Sequence, residues 1–228
     1  MTDLSPQEQR YMQLLDELQQ ARGIEVYFEE RGPVEKIYGD VPTTFARLAE
    51  LHGLILDPEL QQGFLRFEGV SSHWGIYLED TYLSGEFSVR HLGAAMFATA
   101  KHLVTEDSTE FERHLYPQLR VFDSQPRTGV GTMAALRIQP GVTTPEIWYY
   151  HGTRGTFRLD LNYREYLDAL LVTKGAHGWQ YLFADVDMKN DEFHGPATNM
   201  RIMLAAFPDL FPDHDYSPLR ARLAERLR

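Results

Sequence analysis

The chain has 228 residues, and its 22 Lys and Arg against 33 Asp and Glu give a formal net charge of −11. The lack of cysteine excludes disulfides, thiolate metal sites and a catalytic thiol, and no apolar run approaches the roughly 18 residues of a membrane span. An acidic surface repels phosphate backbones and anionic membranes, so the charge predicts no direct nucleic-acid or membrane binding and favours either a basic partner or simple solubility.

The N-terminal quarter is predicted to contain three helices and one strand. Ser5, Pro6 and Glu8 match a helix N-cap, a first-turn proline and a capping-box acid. Asp57 and Pro58 repeat the cap-then-proline pattern. The predicted segments are a helix over about 5–23, a strand over 24–28, a helix from 42 or 43 to 52 and a short helix from 58 that ends at 68–69.

Strand patterns dominate the middle of the chain. Six segments bounded by turn residues have the composition or the alternation of strands, and they are 73–78, 86–89, 119–122, 133–138, 147–151 and 156–161. An alanine-rich helix is predicted over 93–103, and the acidic stretch 105–116 is predicted as helix or loop. After the last strand, Asn162 caps a helix that runs to Lys174, with Gly175 at its C-terminal end.

The C-terminal part continues with an aromatic run, an acidic loop and a helical extension over about 196–228. Within the extension, helices are predicted over about 197–207 and from a Ser217 cap. The tail 212–228 is slightly basic, so it is expected to dock on the acidic body. These patterns predict one α+β domain over residues 1–228, with a central, mostly antiparallel sheet flanked by helices.

The motifs that suggest catalysis or metal binding do not fit their context. Residues 129–134 match the dinucleotide pattern G-x-G-x-x-A, but a strand pattern rather than a helix follows them. The loop from Asp185 has Asn190 and Pro196 where a calcium loop needs Gly and Glu, which excludes an EF-hand. No catalytic residue, metal site or cofactor is therefore predicted.

Several short segments resemble the SUKH superfamily, the group of bacterial immunity proteins and fungal regulators of cell-wall glucan synthesis. They are similar to the family's first helix, the approach to its second helix, its glycine-ended turn, its late strand pair and the helix that follows. In chain order the segments are LAELHG (48–53), LDPEL (56–60), FLRFEG (64–69), EIWYY (146–150), TFRL (156–159) and NYREYLDALL (162–171). The resemblance covers roughly residues 40–175.

The resemblance implies an α+β domain without catalytic residues that binds another protein. For bacterial members the implied partner is a secreted or contact-delivered toxin, often a nuclease. The negative charge of the chain is consistent with a toxin partner, since it would attract the basic face of a nuclease. The N-terminus lacks the basic flank and the apolar segment of a signal peptide, so the expectation is a cytoplasmic immunity protein. No oligomeric state is predicted.

Two other functions fit the same sequence. One is an interaction scaffold or regulator of the same fold that has no toxin partner. The other is an enzyme of unrecognised type, which requires a pocket where His151 or His177 meets Asp or Glu.

The predicted partner contacts lie in the acidic loop 185–192 and in the aromatic run before it. They are Trp179, Tyr181, Asp185, Asp187, Asp191 and Glu192. Aromatic rings beside carboxylates are typical of interface anchors. The alternative is that Trp179 and Tyr181 belong to the core.

Overall fold

Two antiparallel sheets form the frame of the fold. The computed structural model describes residues 4–34, 40–61, 64–128 and 131–228. The strands are β1 (Ile24–Arg31), β2 (Gly69–Leu78), β3 (Thr81–Arg90), β4 (Leu119–Ser124), β5 (Met133–Arg137), β6 (Glu146–His151) and β7 (Gly155–Leu159). One sheet has the order β1-β2-β3 and the other the order β4-β5-β6-β7, with every pair antiparallel. The predicted α+β class is confirmed.

Three of the helices begin where capping residues predict them, at Pro6, Pro58 and Tyr163. They are α1 (Pro6–Gln20), α2 (Val41–His52), α3 (Pro58–Gln61), α4 (Leu92–Ala95), α5 (Glu110–Leu115), α6 (Tyr163–Thr173), α7 (His194–Leu210) and α8 (Ser217–Arg226), with 3-10 turns at Ala100–Leu103, Tyr116–Gln118, Trp179–Phe183 and Asp191–Phe193. At α1 the Ser5 hydroxyl accepts the Glu8 N–H (3.2 Å) and the Glu8 carboxylate accepts the Ser5 N–H (2.7 Å). The predicted capping box is therefore confirmed.

Three helix predictions are wrong in detail. Helix α3 ends at Gln61, and Phe64 lies in the core outside any helix. The predicted helix over 93–103 is broken into two short pieces, because the chain there passes from one hydrophobic core to another. Helix α8 is capped at Tyr216, so Ser217 lies inside its first turn. Of the motif at 129–134, residues 129 and 130 lie outside the described residues, and strand β5 begins at Met133, where a dinucleotide site needs a helix.

The predicted central sheet is divided between β3 and β4. The Glu86 N–H on β3 donates to the Gly175 carbonyl in the loop after α6 (3.0 Å). Further along β3, the Ser88 N–H donates to Oδ1 of the buried Asp123 on β4 (2.9 Å). Because these groups satisfy edge donors of β3, the two strands lie side by side without a ladder between them in the described residues.

Each sheet contributes to the main core, and the second sheet also packs on its other face. Alternate residues of β6 separate the two: Ile147 and Tyr149 point to the main core, and Trp148 points to a smaller cluster. The smaller cluster is covered by the segment 98–119, with Leu115 and Tyr116 at its centre. The acidic stretch 105–116 therefore ends in residues that pack on the second sheet.

Helices α1, α6, α7 and α8 cover the main core. Leu219 and Leu223 of α8 are buried in it, while Arg222 pairs with Asp160 and Arg226 pairs with Asp185, both at 3.5 Å. The expected docking of the tail on the acidic body is confirmed. Burial of each such leucine contributes about 1.5–3 kcal/mol, whereas the exposed ion pairs contribute less than about 1 kcal/mol each.

Candidate functional site

The outer face of the first sheet carries a cluster of exposed tyrosines. Tyr27, Tyr77 and Tyr82, here called the tyrosine face, are 44%, 77% and 42% exposed. Trp74 and Ile76 point the opposite way, into the core. A sheet face with three large exposed rings is unusual for a surface that only meets water, and aromatic residues are enriched at binding interfaces.

Local strand geometry places the three rings together. Tyr77 and Tyr82 are directly paired across β2 and β3, with ring centroids 4.9 Å apart. Tyr27 lies at a bulge in β1, where the register shifts, and its hydroxyl is 3.4 Å from that of Tyr82. Gly75 lies beneath the two hydroxyls, since a Cβ there would come within 2.2 Å of the Tyr82 oxygen. The cluster was not predicted, because it requires β1, β2 and β3 to pair side by side, and a local pattern does not specify which strands pair.

The surroundings of the tyrosine face are mostly acidic. Glu25 on β1 and Glu79 and Asp80 in the β2–β3 turn are exposed. The hydrogen bond with Tyr82 raises the pKa of Tyr27 to about 12, so its phenol stays neutral near pH 7. The tyrosine face can thus bury apolar area, exchange hydrogen bonds and attract a cationic partner.

The structure separates the two halves of the predicted partner site. Asp185, Asp187, Asp191 and Glu192 are exposed in the acidic loop, and the Asp185 side chain is fully exposed. Trp179 and Tyr181 are both 0% exposed. The prediction that these two rings are surface anchors is therefore wrong. They belong to the core, as the alternative interpretation stated.

The aromatic run is buried because it folds as a 3-10 helix against other rings. The Trp179 ring lies 4.8 Å from that of Tyr166, and the Tyr181 ring lies 5.1 Å from that of Phe193. These ring contacts with other elements of the fold hold Trp179 and Tyr181 in the core. The carboxylates of the acidic loop thus present charge without neighbouring aromatic anchors.

A pocket of about 270 Å³ lies between β6, the 3-10 helix at Trp179–Phe183 and the start of α7. His151 and His177 both line it, together with Arg154 and Tyr181. Burial, and to a smaller extent the Arg154 charge, lowers the pKa of His151 to about 4. Burial also lowers the pKa of His177 to about 4, with a contribution from His73. Both imidazoles are neutral at pH 7.

The enzyme hypothesis requires His151 or His177 to meet an Asp or Glu in a pocket. The pocket contains both histidines but, among the described residues, not the required acid. Its lining in the described chain contains no Asp or Glu side chain. No group of three or more His, Asp and Glu is placed to hold a metal ion anywhere in the described ranges. Within the same ranges, every helix is too short or too polar to cross a membrane.

A larger pocket of about 550 Å³ lies at the start of α1. The buried Glu8 carboxylate in its wall accepts hydrogen bonds from the Arg66 guanidinium (2.6 and 2.8 Å) and from the Ser5 and Arg66 amides (2.7 and 2.9 Å). These bonds outweigh burial and hold the pKa of Glu8 below its usual value. Since both carboxylate oxygens of Glu8 already accept hydrogen bonds, the Glu8–Arg66 ion pair has a structural role.

Comparisons with protein-family models, with curated proteins and with solved structures each find no match to this chain.

Proposed function

We propose that this chain is a non-enzymatic protein-binding module, an immunity protein of SUKH type that neutralises a basic toxin such as a nuclease. The observation that carries the proposal is the tyrosine face with its exposed carboxylates. Tyrosine is enriched among the few residues that supply most of the binding free energy of an interface. The acidic rim favours a basic partner through complementary potential.

The same surface also suits a scaffold or regulator of this fold that has no toxin partner. The two functions differ in the partner rather than in the contact chemistry, and a toxin-like gene beside the gene for this chain distinguishes them. The first experiment is affinity capture with the full chain at low and high salt, with mass spectrometry of the captured proteins. A single basic nuclease-like partner that is lost at high salt supports the immunity function.

We expect the variant Tyr77→Ala/Tyr82→Ala to bind the captured partner at least about thirtyfold more weakly, because loss of interface hot spots costs about 2 kcal/mol or more. Folding stability should fall by no more than about 1 kcal/mol, since both rings are partly exposed and the contacts that are lost, between the two rings and with the Tyr27 hydroxyl, lie at the surface. The measurement is calorimetric titration of the purified partner, with a thermal melt of each variant.

Phe97→Ala is the matched control, because Phe97 is 70% exposed and contacts His52 away from the tyrosine face. It should bind as the wild type does. Equal affinity of the wild type and the tyrosine variant would show that the partner binds elsewhere.

The acidic loop gives a second, separable prediction. Charge reversal in Asp185→Lys/Asp187→Lys should slow association with a basic partner and weaken binding by about tenfold at low salt. The melting temperature should stay nearly unchanged, because both side chains are exposed and pair weakly with Arg226 and Lys189. The hydrogen bond that Asp187 accepts from the Lys189 amide (2.9 Å) is also exposed to solvent. Stopped-flow association rates at two salt concentrations test this, and unchanged rates would place the loop outside the interface.

A further inference from the structure

The pocket between β6 and α7 holds a cation that has no anion. Arg154 lies in the β6–β7 turn, where its Nε donates to the Glu192 carbonyl (2.7 Å). Its Nη1 is 2.5 Å from Nε2 of His151. It forms no ion pair with any described residue. A partly buried guanidinium without a carboxylate leaves positive charge facing the pocket.

The neighbouring histidine cannot neutralise this charge. Arginine is always a donor, and the Thr153 amide also donates to the imidazole, at Nδ1 (3.3 Å), so His151 offers acceptor atoms but no negative charge. His151 therefore acts as a neutral support that orients the guanidinium. Two contacts fix the orientation of the Arg154 guanidinium, one with this imidazole and one with the Glu192 carbonyl.

A second observation points independently to a missing acceptor. Tyr181 lines the same pocket, and its hydroxyl is buried beside Arg154 and donates to no acceptor among the described residues. Burial raises the pKa of Tyr181 to about 12, against the effect of the nearby Arg154 charge, so the hydroxyl keeps its proton. A buried O–H donor without an acceptor costs about 1–3 kcal/mol, which a bound oxygen atom would recover.

The third wall is the N-terminus of α7. This helix has 17 residues and no side-chain cap at its N-terminus. Gly195 in its first turn lines the pocket, and the space where its Cβ would lie is open. Pro196 has no N–H and the His194 N–H donates to the Asp191 carbonyl, so the Gly195 N–H is the donor that this turn can offer to an anion. The partial positive charge of the helix N-terminus adds to its attraction.

We propose that this pocket binds a small oxyanion of the phosphate class, held by the Arg154 guanidinium, the Tyr181 hydroxyl and the first turn of α7. A phosphate has enough oxygen atoms to accept from all three groups, whereas a carboxylate has two. The volume of about 270 Å³ lies just below the usual range for drug-sized ligands, so the site takes inorganic phosphate or a small phosphate monoester. This proposal does not depend on the tyrosine face or on a protein partner.

The test is calorimetric titration of the full chain with inorganic phosphate at constant ionic strength, repeated with phosphoserine and with acetate. Saturable binding of phosphate, tighter than binding of acetate, is the expected result. Tighter binding of phosphoserine assigns a monoester, and equal binding assigns the inorganic ion. No saturable binding of either up to the millimolar range, or equally tight binding of acetate, would overturn the proposal.

Two variants locate the site. Arg154→Gln should weaken phosphate binding about tenfold to a hundredfold, because it removes the only side-chain charge among the donors. Arg158→Gln on β7 is the control, because it removes the same charge from a different place. Arg158 is exposed, pairs with Glu146 and lies outside the pocket. Equal losses in both variants would mean non-specific attraction.

Tyr181→Phe keeps the proposal testable even if Arg154→Gln does not fold. The ring packing is retained, so phosphate affinity should fall several-fold, while the melting temperature without phosphate stays equal or rises because an unpaired buried hydroxyl is removed. A lower melting temperature with unchanged phosphate affinity would instead assign this hydroxyl a purely structural role and contradict its place in the site.

Discussion

Replacement of Lys174 by alanine is expected to lower the free energy of unfolding by about 3–5 kcal/mol. Lys174 is 1% exposed, and its ammonium group pairs with the Glu17 carboxylate and lies 2.9 Å from Nε2 of His214. The Phe211 ring is 4.9 Å away. The variant removes the packed lysine stem and leaves Glu17 partly buried without its cation, and each effect favours the unfolded state.

Urea denaturation followed by the fluorescence of the three tryptophans measures this loss. Lys189→Ala is the matched control, because Lys189 is about half exposed and lies 4.0 Å from Asp187. It should change stability by less than about 0.5 kcal/mol. In the double variant Glu17→Gln/Lys174→Met most of the loss should be recovered, since neither buried charge remains. Equal stabilities of the two alanine variants would contradict the importance of the buried pair.

The second large effect concerns Asp123, which lies where the two sheets meet. Burial raises the pKa of Asp123 to about 6, despite hydrogen bonds from the Ser88 amide (2.9 Å) and the Tyr166 hydroxyl (2.7 Å). Because this pKa lies above the unfolded value of about 3.9, the folded state holds a proton that the unfolded state has already lost. Stability from this group is therefore present below about pH 4 and is lost as the pH rises through about 6.

Asp123→Asn should remove this pH dependence. Between pH 4 and 7 the stability of the variant relative to the wild type should rise by about 3 kcal/mol, which corresponds to a shift of about two pKa units. The low pKa values of His151 and His177 affect both proteins alike and cancel in the difference. Urea denaturation of both proteins at several pH values gives the comparison.

Asp160→Asn provides the control for this series, because Asp160 is exposed and pairs weakly with Arg222. Its stability difference from the wild type should be nearly constant over the same pH range. A constant difference for Asp123→Asn as well would show that Asp123 is ionised without cost where the sheets meet.

Helix starts were predictable because they depend on residues three apart. Ser5 with Glu8 and Asn162 with Glu165 form capping boxes in the structure, and each bond joins neighbours in one turn. The glycine that follows α6 was predictable for the same reason, since Gly175 lies directly after the C-cap Lys174 and has a left-handed φ of 70°. The left-handed φ of Lys174 itself (53°) was not predicted. Its carbonyl accepts the Trp74 indole N–H at 2.7 Å, a contact between residues far apart in the chain.

The candidate surfaces were predictable only in part. The exposure of Asp185 and Asp187 follows from their charge. The burial of Trp179 does not follow from composition, because an aromatic ring suits both a core and an interface. The tyrosine face requires β1, β2 and β3 to pair in this order and register, and the local pattern gives the residues of each strand without giving its neighbours.

Composition, charge and local spacing were sufficient for the α+β class, the helix caps, the strand segments and the acidic character of the chain. Each of these depends on single residues or on neighbours within one turn or one hairpin, so its energetics are local. The division of the sheet at Asp123, the burial of Trp179 and the meeting of Arg154 with Tyr181 were decided only by tertiary structure. They depend on which distant segments pack together, and that choice minimises the free energy of the whole core rather than of any one segment.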